Sequence, residues 1–203
     1  LVHLCDLART NLQAALQSPA VQLASGTGRS EAEITQMVFD GYGLLADILA
    51  SRAKHTADPA LYRAVAETRF EQADYAFEKK FGYAVYNSLR AEGFDAIHQA
   101  VALSTSGADT DTTPRMYVSW FSMALGSRRL GELTSKSIFV ETELAQLKTA
   151  MDALPPRSAA AVREALLDSV SSQLSSLKND ARYRIVQAVL QVAGNDPVAS
   201  GLK

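Results

Sequence analysis

The sequence predicts an all-α protein, a multi-helix bundle of about seven to nine helices, from three observations. Apolar residues recur at spacings of three and four almost everywhere, the period of a helix resting one face on a core. The alternation at two that marks a half-buried strand is scarce. Prolines, glycines and side-chain caps fall between the periodic stretches, where helices must start and stop. With 47% hydrophobic and 21% charged residues, the 203-residue chain carries enough apolar surface for a core, which excludes a disordered tail.

The first helix is expected over Val2 to Leu16, ending before Pro19, because the residue ahead of a proline is pushed out of the helical region. Ser30 and Glu33 have the spacing of a capping box and open the next helix. Its inner side is expected to carry Ile34, Met37, Val38, Leu44, Leu45, Ile48 and Leu49. Gly41 and Gly43 each weaken that helix by roughly 1 kcal/mol against alanine and so point to a close helix contact or a kink. Asp58 followed by Pro59 is another start, a capping acceptor and then the one helical position where proline loses no hydrogen bond. From there a helix is expected to run to about Arg90, broken at Gly93 and followed by a shorter one from Phe94 to Leu103.

Ser104 to Pro114, STSGADTDTTP, is the least helical stretch. The chain therefore reads as one domain over residues 1–203, with possible lobes 1–103 and 115–203 joined by a polar linker at 104–114. The following MYVSWFSMAL is apolar on nearly every side, as in a central buried helix. Val140, Leu144, Leu147, Met151 and Leu154 form a narrow seam, Pro155 and Pro156 end it, and Val162, Leu166, Val170, Leu174 and Leu177 return. That pattern predicts an antiparallel hairpin whose two helices also pack against the apolar MYVSWFSMAL helix, or one flank of which pairs with another molecule. A last helix is expected over about Ala181 to Ala193, stopped by Gly194, Asn195, Asp196 and Pro197.

Twenty basic against twenty-two acidic residues leave a net charge of -2, too balanced for whole-surface attraction to nucleic acid or an anionic membrane. Arg128 with Arg129 is too small a basic cluster to change that. One cysteine, Cys5, and histidines only at His3, His55 and His98 supply no zinc spacing, so no metal and no cofactor is expected. No apolar run reaches membrane-spanning length, so the chain reads as soluble, cytoplasmic or secreted without disulfides. Arginine in excess of lysine, with abundant alanine, is the usage of a GC-rich bacterial genome.

Candidate chemistry is sparse. Asp109, Asp111 and Thr113 resemble the DxDxT of haloacid-dehalogenase-like enzymes, which use it at the end of a hydrophobic strand; helical flanks make it a polar linker here. Ser104, Thr105 and Ser106 with Glu141 and Glu143 resemble the STS and ExE elements of ADP-ribosyltransferases. That family works on a split β core, so these residues read as a loop and a solvated helix turn. Gly26 to Ser30 before a helix lacks the rest of a phosphate loop and reads as a capped turn. His98 on an apolar helix could face a haem, but reads as a satisfied, partly buried histidine.

Two surfaces remain. Glu67, Glu71, Asp74 and Glu78 share one stripe and are the candidate partner-binding face for a basic protein. Phe70, Phe77, Phe81, Trp120 and Phe121 are the candidate lining of an apolar ligand pocket. The leading expectation is a non-enzymatic helical module that binds another protein. The alternatives are a small-molecule-binding bundle and an enzyme of unrecognised type.

Overall fold

The computed structural model describes residues 28–106, 112–125, 140–174 and 179–193. Among them are seven helices and no strand: α1 Glu31–Thr56, α2 Pro59–Glu78, α3 Tyr83–Ser106, α4 Thr112–Ala124, α5 Val140–Asp152, α6 Pro156–Leu174 and α7 Asn179–Ala193. The protein is an all-α multi-helix bundle. The expected first helix, Asp109, Asp111, Arg128, Arg129 and the closing Gly194 to Pro197 stop lie outside the described residues. The chain divides into two compact units between Ala96 and Ile97, inside α3. Ser104 to Ser106 close α3 and Thr112 to Pro114 open α4, so both ends of the expected linker are helical.

In the first unit, α1 begins as its sequence requires. The Glu33 amide donates to Ser30 Oγ at 3.2 Å, and the Ser30 amide donates to Glu33 Oε2 at 2.7 Å, so two orphan donors are satisfied reciprocally. Those bonds from Ser30 hold the Glu33 carboxyl below the ordinary glutamate range. Asp58 caps α2 by accepting from the Ala60 amide at 2.8 Å, with Pro59 in the first turn.

Against α2, helix α1 buries Val38, Tyr42, Leu45, Ala46, Leu49 and Ala53. Each large side chain so buried contributes about 1.5–3 kcal/mol. Polar bonds fix the register: Gln72 Nε2 donates to the Phe39 carbonyl at 3.0 Å, and Tyr75 Oη to the Thr35 carbonyl at 3.4 Å. Gly43 permits the approach, since a Cβ there would stand 3.2 Å from Gln72 Nε2. Met37, Leu44 and Ile48, expected inside, are exposed instead. At 100° per residue they lie about 120° from the buried stripe, on a flank that α2 does not cover.

The helix expected to reach Arg90 stops at Glu78. Its end is a Schellman motif: Lys80 turns left-handed (φ 61°), its amide donates to the Phe77 carbonyl at 3.2 Å, and the Phe81 amide donates to the Ala76 carbonyl at 2.9 Å. Phe81 then folds back on the cluster of Ala73, Ala76 and Leu89. The left-handed cap residue is a lysine, and the glycine of this turn, Gly82 (φ 101°), comes two residues later. Gly93, expected to break a helix, lies within α3, where a Cβ would come within 2.5 Å of Phe70 Cδ2. That glycine is a packing device.

The second unit is built on α4, which buries Met116, Tyr117, Trp120, Phe121 and Met123 as a central helix must. The α5 seam (Leu144, Leu147, Met151) and the α6 seam (Val162, Leu166, Val170) are buried too. Both pack on the apolar helix α4, and their contact with each other is the smaller one. Helix α6 packs chiefly on α4, whereas α5 packs on α4 and α7. A helix apolar on all sides recruits both neighbours, and the reversal at Pro155 and Pro156 only brings them to it. Tyr117 Oη donates to the Ala150 carbonyl at 3.2 Å, and burial pushes its ionisation up to about 12. No helix among the described residues is long and apolar enough to cross a membrane.

Candidate functional site

The outer flank of α1 carries three exposed apolar side chains in helical register. Met37, Leu44 and Ile48 are 51%, 64% and 42% exposed. With Gly41 they fall at spacings of four, three and four, the narrow seam by which one helix receives another. Arg29 lays its guanidinium against the Met37 thioether without covering it. One side of the seam carries Glu33, Asp40 and Asp47, seven residues apart and all exposed; its C-terminal end carries Arg52, Lys54 and His55. Asp47 Oδ1 is held by Arg69 Nη2 at 2.6 Å, and the same guanidinium reaches Glu92 Oε2 at 2.9 Å.

The acidic row expected to bind a partner is partly engaged within the chain. Arg63 lies 3.6 Å from Glu67, and Asp74 accepts from Arg90 Nη2 at 2.8 Å. Glu71 is half-buried and Glu78 exposed. Arg90 itself is 1% exposed, held between the Phe70 ring (4.4 Å) and the Tyr86 ring (5.1 Å). Reversing Asp74 would therefore strike a buried cation as well as a surface.

The five candidate pocket residues are divided between the two units. Phe70, Phe77 and Phe81 belong to the first unit, and Trp120 and Phe121 to the second. Phe70, Trp120 and Phe121 are packed in cores. Phe77 is exposed beside Tyr83 and Tyr86, and Phe81 stacks on Phe39 at 4.5 Å. A cavity of about 630 Å³ opens between the first turn of α1 and the α2–α3 turn, lined by Glu31, Ala32, Thr35, Lys79, Lys80 and Phe81. Of the five aromatic residues, only Phe81 reaches it.

A second cluster lies in the second unit, where His98 is partly buried and satisfied as its sequence suggests, by partners the sequence did not indicate. Glu143, expected on a solvated turn, is 5% exposed; its Oε2 accepts from Trp120 Nε1 at 2.7 Å and lies 2.9 Å from His98 Nε2. The His98 ring meets Trp120 edge to face at 4.7 Å and keeps 31% of its side chain exposed. The three residues are on α3, α4 and α5, far apart in the sequence. A carboxylate behind a reachable imidazole can orient it for proton transfer. It also satisfies a buried indole. Thr113, the described member of DxDxT, donates to the Ser104 carbonyl at 3.0 Å and is buried. Among the described residues no three His, Cys, Asp or Glu side chains converge as a metal site would need.

No protein-family model, curated protein or solved structure matches the chain.

Proposed function

We propose that the chain is a helical protein–protein interaction module whose partner face is the outer flank of α1. The observation that carries the reading is the exposure of Met37, Leu44 and Ile48 in one seam while the other apolar stripe of the same helix is buried. Apolar side chains scattered singly over a surface need no explanation, but three in helical register on one flank form a strip to receive a helix. A fluorescently labelled synthetic helix with leucines on one seam and glutamines beside it tests this by anisotropy. It should bind the native chain, and Leu44→Glu should abolish binding while leaving helix content unchanged. Equal binding to both proteins refutes the reading.

The second reading is proton transfer at His98, favoured by the Glu143 carboxylate 2.9 Å behind its ring. Its substrate would have to approach the exposed part of His98.

A further inference from the structure

We propose that Met37 is the oxidation site of the folded chain: a hydroperoxide converts its thioether to the sulfoxide, Arg29 holds the new oxygen, and the α1 face is switched off. This rests on the reading of that flank as the partner face and adds its control.

Access decides which methionine is oxidised, because the oxidant must reach the sulfur. Met116, Met123 and Met151 are buried in the second unit, whereas Met37 is half-exposed in the first. Dilute hydrogen peroxide therefore meets one thioether in the folded chain. A sulfur lone pair attacks one peroxide oxygen and the O–O bond breaks. The departing hydroxide takes the proton from the oxygen now bound to sulfur. Sulfur is oxidised by two electrons, and the peroxide leaves as water.

Arg29 sets what the new oxygen meets. Its guanidinium already lies against the Met37 sulfur, which is a weak acceptor. A sulfoxide oxygen is a stronger acceptor, and a bond to it from a cation is charge-assisted. Oxidation thus strengthens a contact that precedes it and draws the Met37 side chain toward Arg29 rather than toward a partner. At the same time the seam loses an apolar member, since the sulfoxide is polar, and only Leu44 and Ile48 remain exposed on it. Methionine sulfoxide reductases reverse the change, so the control is reversible.

Mass spectrometry after limited hydrogen peroxide treatment of the full chain reads the site. One oxygen should be added at Met37 before any at the other three methionines, with helix content unchanged. By anisotropy, the singly oxidised chain should bind the leucine-seam helix at least about tenfold more weakly than the untreated chain, and methionine sulfoxide reductases should restore binding. Met37→Leu, whatever its own affinity, should bind equally before and after peroxide. Oxidation makes the sulfur a stereocentre, and methyl nuclear magnetic resonance should show the two epimers in unequal amounts; Arg29→Ala should bring them toward equality. Oxygen added first to a buried methionine, unaltered helix binding by the singly oxidised chain, or equal epimers with Arg29 in place overturns the inference. An untreated chain that does not bind the helix overturns instead the reading on which it rests.

Discussion

Gly43 and Gly93 are both helical glycines, and replacing each by alanine should change stability in opposite directions. Helix propensity favours alanine at either place by about 1 kcal/mol. At Gly43 the new methyl would stand 3.2 Å from Gln72 Nε2, the end of a buried side chain that must give by a few tenths of an ångström while keeping its bonds to the Phe39 carbonyl and Arg69. At Gly93 it would come within 2.5 Å of Phe70 Cδ2 and 3.4 Å from the Ala66 carbonyl oxygen. The Phe70 ring cannot swing away: it is 1% exposed, meets Phe94 edge to face at 5.1 Å and lies under Arg90. Overpacking of that kind costs about 1–3 kcal/mol, and a pinned ring sets it in the upper half of that range. The propensity gain offsets part, so Gly93→Ala should lose about 1–2 kcal/mol while Gly43→Ala gains about 0.5 kcal/mol. Urea unfolding followed by far-ultraviolet circular dichroism reads both, because the single tryptophan, Trp120, belongs to the second unit. Phe70→Leu should relieve Gly93→Ala, so the two losses should be less than additive. Equal stabilisation by both glycine substitutions would show that Phe70 is not packed over Gly93.

Other outcomes follow from single contacts. Glu143→Ala should cost about 1–3 kcal/mol, because the buried Trp120 indole N–H loses its acceptor, and should shift tryptophan emission; an unchanged spectrum would break the Trp120–Glu143 bond from the account. Asp74→Ala should cost about 1–2 kcal/mol by withdrawing a carboxylate from Arg90, and Asp74→Lys more; a neutral Asp74→Lys would contradict the pairing. Burial holds Tyr117 neutral in the folded state up to about 12, above the ordinary tyrosine value of 10.0. Its contribution is therefore complete below pH 10 and is lost between about 10 and 12, as the unfolded chain ionises first. Phenolate absorbance against pH checks this: Tyr117→Phe should remove a late-titrating step and leave the early ones, and removal of an early step would contradict the burial.

What the sequence makes legible is local. The Ser30–Glu33 box, the Asp58–Pro59 start, the central α4 and the reversal at Pro155 and Pro156 are all written in neighbouring residues. Two features escaped because the usual residue stands elsewhere: α2 ends on Lys80 in a left-handed turn, and Gly93 makes room for Phe70 rather than ending a helix. The burial of α1 was only half legible, because its apolar residues cover two flanks and periodicity does not say which one meets α2. Of the cluster of His98, Trp120 and Glu143, only the partly buried, satisfied state of His98 was legible, not its partners. Its members share no spacing, and a surface-type residue such as Glu143 gives no sign in the sequence that its carboxylate will be buried.

The chain's four methionines allow the most direct test of the α1 face. Met116, Met123 and Met151 are 2%, 1% and 1% exposed, while Met37 is 51% exposed in the seam. With methyl-labelled methionine, nuclear magnetic resonance gives one signal per residue. A partner seated on the outer flank of α1 should move the Met37 signal and leave the other three in place as the leucine-seam helix is added. A Met37 signal that stays put while the helix binds would contradict the assignment of the partner face.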